Sequence, residues 1–176
     1  MSAPLRLSGR FAAFAVAAVA AATVAGALVS QHVFGLVPCK LCLWQRQPYY
    51  WGIPLALLVA ALPRNGRAQR AGLFTLALVF AVSAGLGAYH AGVEWGWFAG
   101  PSDCGGGGGT APGGVGDFLK SLNSVRVVSC AEAAWRLLGL SLAGWNALVS
   151  LGLAVLALAG ARVGTVQGSS SVSQYR

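Results

Sequence analysis

Residues 11–30 read FAAFAVAAVAAATVAGALVS, an Ala/Val-rich run with no charged side chain. Wound as a helix at 1.5 Å per residue, such a run reaches about 30 Å, the thickness of a bilayer's hydrocarbon core. Arg6 and Arg10 precede it, and the uncharged stretch continues to Cys39. Three more such stretches follow: a short one between Arg46 and Arg64, one at 71–89, and one at 137–161, long enough to span with some tilt. Tyr49, Tyr50 and Trp51 open the second and are expected to form an interfacial aromatic belt. The whole chain has 176 residues, 56% of them hydrophobic and only 9% charged. With a mean hydropathy of +0.67, a soluble domain and a disordered chain are both excluded. The expected fold is an all-α integral membrane protein, a four-transmembrane-helix bundle in one domain over 1–176, with spans at about 11–32, 47–63, 71–90 and 137–161.

The charges orient this bundle. Arg6, Arg10, Arg64, Arg67, Arg70, Arg162 and Arg176 fall on one side of it with no acidic partner. Lys40, Arg46, Lys120, Arg126 and Arg136 fall on the other with Glu94, Asp103, Asp117 and Glu132, a balance of +7 against +1. Cytoplasmic loops carry the excess of Lys and Arg, so both termini are expected in the cytoplasm and the two loops after spans one and three outside. This distribution also accounts for the net charge of +8 without nucleic acid, for which neither a basic soluble surface nor a binding motif is present. A cleavable signal peptide is the competing reading of the first run, since Ala25, Gly26 and Ala27 resemble a small-residue cleavage site. The uncharged stretch runs well past that point, and removal would leave three spans against a charge bias that asks for an even number.

The large outer loop, 94–136, contains five consecutive glycines at 105–109, expected to act as a flexible tether. Beyond them, 115–128 places Phe118, Leu119 and Leu122 among Lys120 and Arg126, a pattern that suits either a short amphipathic helix on the membrane surface or an ordinary loop.

All four cysteines fall on the outer side: Cys39 and Cys42 in a Cys-x-x-Cys after the first run, Cys104 and Cys130 in the large loop. An even count on an oxidising face suggests disulfides. Closing the Cys104 to Cys130 loop would contribute about 3–4 kcal/mol, an ordinary structural staple. A bridge across two residues closes almost no loop and is comparatively easy to reduce, so the Cys39/Cys42 pair points to exchange. Attachment of c-type haem needs His after the second cysteine, where Leu43 stands. Structural zinc wants two closely spaced pairs, whereas Cys104 and Cys130 are far apart with no His near either in sequence, so no metal is expected. Lys40 within the motif and Arg46 one helical turn beyond Cys42 would both favour a thiolate.

The segment Gly35-Leu36-Val37-Pro38-Cys39-Lys40-Leu41-Cys42-Leu43-Trp44-Gln45-Arg46 closely resembles the hallmark loop of the DsbB family of disulfide bond formation proteins. Tyr89-His90-Ala91-Gly92-Val93-Glu94, Trp135, Leu138-Gly139-Leu140-Ser141 and Trp145-Asn146 also look like family segments, and the resemblance covers about 11–160. It implies a membrane enzyme, a protein-dithiol:quinone oxidoreductase, that reoxidises a periplasmic DsbA-like thiol oxidase and passes the electrons to ubiquinone or menaquinone in the bacterial inner membrane. By matching position, Cys104 would be attacked by the partner's thiolate, with Cys130 its bridge partner. Cys130 would then exchange with Cys39, leaving Cys42 to face the quinone with Arg46 beside it.

His90 ends the third run near the level of a quinone head group, so it is a candidate proton relay and cofactor-binding residue, against the plain reading of a solvated interfacial histidine. Trp95 and Trp97 read as interfacial anchors rather than stacking groups. Lys40, which departs from the family pattern along with the glycine run, is expected to favour the reduced pair. Two alternatives remain on sequence grounds. One is a non-enzymatic four-span scaffold with stapled loops. The other is an oxidase of the vitamin K epoxide reductase type, in which the Cys-x-x-Cys comes late in the bundle rather than after the first span.

Overall fold

The computed structural model describes residues 8–64, 66–101 and 129–172, with side chains described to 162. Cys104, the glycine run and the 115–128 segment lie outside the described residues. The described chain is mostly helical: α1 (Gly9–His32), α2 (Lys40–Ala61), α3 (Arg67–Glu94) and α4 (Leu142–Val172), with a two-residue antiparallel hairpin, β1 (Arg136–Leu137) and β2 (Leu140–Ser141), ahead of α4.

Each helix start has a local cause. Ser8 caps α1 by accepting from the Phe11 N–H, relieving one of the unpaired donors of the first turn. Cys39 caps α2 in the same way with its sulfur, which accepts the Cys42 N–H. Residue 137 was the expected start of the last span, but the helix begins at Leu142. Leu138 and Gly139 both take positive φ, +53° and +81°, and turn the chain back on itself first. The Trp145 indole N–H donates to the Leu137 carbonyl and ties the hairpin to α4.

Long-range hydrogen bonds fix the helix directions. Arg10 at the start of α1 donates to the Ala60 carbonyl at the end of α2, and Arg46 at the start of α2 reaches Gln31 and Ala27 at the end of α1. These two helices are therefore antiparallel. Gln45 near the start of α2 meets His90 near the end of α3, and Gln69 near the start of α3 meets the Val59 carbonyl near the end of α2. Tyr49 in α2 meets Asn146 and Ser150 in α4, start to start. The result is an up-down-up-down bundle in which α1 packs on α2 and α4, α2 on α3, and α3 on α4.

Small residues allow the close contacts. The buried face of α1 is Ala12, Ala13, Val16, Ala17, Ala20 and Val24, and at Gly160 of α4 an added Cβ would come within 2.5 Å of the Ala12 Cβ. Such stripes are how helices approach where solvent offers no hydrophobic drive. Phe80, Leu73 and Leu76 fill the centre. Among the described residues three helices are long and apolar enough to cross a membrane: α1, α3 and the 142–162 part of α4. The fourth, α2, carries Lys40, Gln45, Arg46 and Gln47 among its first eight residues and has Pro48 and Pro54 inside it.

Tyr50 and Trp51 are exposed, in keeping with a belt, but Tyr49 is not. Its ring is 2% exposed and packs edge-on against Phe80 at 5.4 Å, and its hydroxyl is satisfied by Asn146 and Ser150. A Tyr with two polar partners inside the bundle gains more from burial than from an interface.

Candidate active site

The bundle gathers at one end the beginning of α2, the end of α3, the segment after 129 and the beginning of α4. Cys39 and Cys42 are free thiols with sulfurs 2.8 Å apart, the cap and the third residue of α2. Since α2 begins at Lys40, Cys42 and Arg46 are one turn apart on a single helical face, as the sequence spacing anticipated. Cys130 is buried and disulfide-bonded. Its sulfur, that of Cys39 and a ring nitrogen of His90 all lie within 4.8 Å of one another. Spacing argued against zinc because no His is near the cysteines in sequence. Folding brings one there from 51 positions away, although the Cys130 sulfur is committed to its disulfide.

The geometry makes Cys39 the anion of the pair. The Cys42 thiol beside it holds its pKa down to about 4, with the His90 ring and the Cys42 backbone N–H assisting and burial opposing. A helix N-terminus and its unpaired N–H groups are a standard stabiliser of a thiolate. Lys40 lies over the Trp44 ring at 5.3 Å, a cation–π contact.

His90 is 3% exposed, so the solvated interfacial reading does not hold. Its Nε2 lies 3.6 Å from the Cys39 sulfur and 3.8 Å from Glu94 Oε1, and its Nδ1 lies 2.6 Å from Gln45 Nε2. Glu94, expected in the outer loop, is instead the last residue of α3. Its side chain is buried, and Oε2 has no hydrogen-bond partner.

Beside the cysteines is a cavity of about 340 Å³ whose polar lining includes Cys42, Gln45, Arg46, His90, Gln31 and Asn146, the remainder being chiefly apolar side chains of α1, α2 and α4. A small, mostly apolar cavity with a few converging polar groups is the usual form of a small-molecule site. Cys39 does not line it, so of the two thiols only Cys42 faces the cavity. Trp95 and Trp97 pack edge-to-face at 4.8 Å, stay exposed and do not line it either.

Gln45, Asn146, Tyr49 and Glu94 were not legible as site residues, although one signal was available. Gln45 with Tyr49, and Asn146 with Ser150, are polar residues spaced i, i+4 inside largely apolar helices, a spacing that puts each pair on one buried face.

A family model for disulfide bond formation protein DsbB matches residues 9–160. A disulfide bond formation protein B from Verminephrobacter eiseniae is 35% identical over 153 residues, covering 78% of each chain. Another of that name from Marinobacter nauticus is 34% identical over 157 residues, covering 78% of this chain and 86% of the relative. A third, from Stutzerimonas stutzeri, is 30% identical over 171 residues, 88% of this chain and 96% of the relative. No solved structure matches the chain.

Proposed function

Because the chain belongs to the disulfide bond formation protein B family, a group of disulfide-forming membrane oxidoreductases, we propose that it is a thiol oxidase of the bacterial inner membrane. In this reading it reoxidises a DsbA-type dithiol oxidase of the periplasm and delivers the electrons to ubiquinone or menaquinone. The observation that carries the proposal is the convergence of the Cys39, Cys42 and Cys130 sulfurs beside a cavity that Cys42 lines.

Electrons and bonds balance along the four cysteines. The partner's thiolate attacks Cys104, the Cys104–Cys130 bond breaks, and its electron pair leaves on Cys130. That thiolate attacks Cys39 of an oxidised Cys39–Cys42 pair, and the pair's electrons leave on Cys42. The partner's second thiol then resolves the partner–Cys104 disulfide, and the Cys104 thiolate so released attacks Cys130, remaking the Cys104–Cys130 bond and leaving the electron pair on Cys39. The nearness of Cys130 to Cys39 supports the middle step, and the cap position of Cys39 makes its sulfur a good leaving group in the last.

The cavity fits a quinone head group in its chemistry: an apolar slot, a cation, and amide donors for ring oxygens. Arg46, Gln31 and Asn146 would hold those oxygens, and Cys42 would face the ring. When bound, a quinone supplies the two-electron sink that a disulfide-generating enzyme needs. Arg46 is held in place by Gln31 Oε1 at 2.7 Å and stands ready to stabilise negative charge on Cys42.

All four helices are assigned as spans in this reading, over about 11–32, 47–63, 71–90 and 137–161, the last helical from Leu142. The described cysteines lie at one end of the bundle and Arg10, Arg64, Arg67, Arg70 and Arg162 at the other, which supports cytoplasmic termini and periplasmic cysteines.

The test is turnover of the detergent-solubilised protein with a reduced DsbA-like partner and a soluble ubiquinone analogue, followed by quinone absorbance. Turnover that Cys42→Ser abolishes is the expected result. No turnover with several partners and both quinone types, from protein whose cysteines are correctly oxidised, would return the chain to the stapled-scaffold reading.

A further inference from the structure

Six polar side chains form a continuous line through otherwise apolar helix contacts: Ser83, Ser150, Tyr49, Asn146, Gln45 and His90. Ser83 is fully buried, so the line has no exit at that end and is no path for protons across the bundle. It does have a direction. The Tyr49 hydroxyl donates to Asn146 Oδ1 at 2.8 Å, Asn146 Nδ2 donates to Gln45 Oε1 at 2.8 Å, and Gln45 Nε2 faces His90 Nδ1 at 2.6 Å.

An amide nitrogen can only donate, so Nδ1 is the acceptor and the neutral ring carries its proton on Nε2. That nitrogen points away from the amides, toward the Cys39 sulfur at 3.6 Å and Glu94 Oε1 at 3.8 Å. We propose that Gln45 and Asn146 are positioning residues for disulfide exchange. By donating in sequence toward His90 Nδ1 they hold the ring as an Nε2–H donor turned to the Cys39 sulfur.

The chemistry asks for such a donor. When Cys39 is the leaving sulfur, as when a Cys39–Cys130 disulfide is resolved by attack on Cys130, the bonding electron pair goes to the Cys39 sulfur while the attacking thiolate bonds to Cys130. The fixed Nε2–H stabilises the charge that appears on Cys39 and keeps its proton throughout. A ring with the opposite tautomer would turn a lone pair to a sulfur gaining charge. The groups around the ring are Cys39 from the cap of α2, Cys42 and Arg46 from α2, Glu94 from its own helix, and Cys130 from the segment before α4. Asn146 of α4 and Gln31 of α1, across the cavity, are uncharged.

The inference rests on the exchange reading of the cysteines for its consequence, and the test separates the two. The chain has two histidines, so His32→Gln leaves His90 as the sole ring signal in ¹⁵N-histidine-labelled protein in detergent micelles. The expected spectrum is the Nε2-protonated tautomer. In Gln45→Glu the carboxylate would accept from Nδ1–H, moving the proton off Nε2. Alkylation of Cys39, located by peptide mass spectrometry across pH, is then expected to fall about tenfold on the acid limb of its pH profile, the effect of losing a hydrogen bond to a charged group.

An Nδ1-protonated ring in the His32→Gln protein, which keeps the whole network, overturns the proposal whatever the variants do. So does a Gln45→Glu protein that keeps both the tautomer and the Cys39 alkylation profile. An Nε2-protonated ring in protein that never turns over partner and quinone leaves the positioning intact and removes the functional reading.

Discussion

At the scale of single residues, the behaviour of Cys39 is the most direct consequence of the geometry. Its thiol ordinarily ionises at 9.0 and here at about 4. In the folded, reduced protein the rate of alkylation at Cys39 is therefore expected to stay level from neutral pH down to about 5 and fall through an inflection near 4. In denaturant the inflection should return to about 9. The sign for stability follows. A folded pKa below the unfolded one contributes stability fully present above pH 9, lost progressively as pH falls to about 4. Reduced protein should thus lose stability from pH 8 to 5 relative to Cys39→Ser, measured by denaturant midpoints in one detergent. Arg46 acts on the other side of the pair. Arg46→Gln keeps a hydrogen-bonding side chain but loses the charge, and should raise the KM for a quinone analogue about tenfold, the cost of one charge-assisted hydrogen bond. The first step with the partner protein, attack on Cys104, puts no charge on Cys42 and should keep its rate, which a stopped-flow measurement of mixed-disulfide formation without quinone can check.

At the scale of elements, much was readable because helices repeat on a short period. The spacing of Cys42 and Arg46 and the uncharged runs depend only on neighbours a few positions away, and a described helix covers most of each run, although α2 begins at Lys40 and α4 at Leu142. The hairpin at 136–141 escaped because its turn puts exposed Leu138 in a left-handed conformation that a bulky residue rarely adopts, held by the strand pairing on either side and the Trp145 bond to Leu137. Tyr49 was misassigned for a related reason. Beside Tyr50 and Trp51 it belongs to an aromatic cluster, and only the helix phase relative to Asn146, 97 positions on, turns it inward. The helix pairs also set a packing prediction. At Gly87 of α3 an added Cβ would sit 2.8 Å from the Ala147 backbone nitrogen of α4, where no rotamer change can relieve the clash. Gly87→Ala should cost about 1–3 kcal/mol, seen as a lower unfolding temperature, and should disturb Asn146 next to it. Gly26→Ala, with open space around it, is the matched control.

At the scale of the whole molecule, the bundle divides chemistry from anchoring. The described thiols, the buried histidine and the cavity sit at one end, and the arginines that read as cytoplasmic sit at the other. A single cysteine introduced at Arg64 into an otherwise cysteine-free chain should be shielded from an impermeant maleimide in intact spheroplasts and label only after permeabilisation. One at Trp97 should label in both. The reverse pattern would invert the topology and separate the thiols from any periplasmic partner. The sequence could not supply the meeting of His90 with Cys39, or of Gln45 with Asn146, since contacts 51 and 101 positions apart are properties of the assembled bundle.

The sulfur that caps α2 has a consequence of its own. Ordinary caps are hydroxyls or carboxylates whose hold on the first turn does not change during a catalytic cycle. Here the acceptor for the Cys42 N–H is the Cys39 sulfur, which in the proposed cycle would alternate between an anion and a neutral, two-coordinate sulfur. The start of the helix is therefore clasped when electrons are present and slackened when they have gone. The deuterium-uptake clock of one backbone amide, that of Cys42, should run slowly in the reduced protein and quickly in the oxidised one, making the backbone itself a gauge of where the enzyme stands in its cycle.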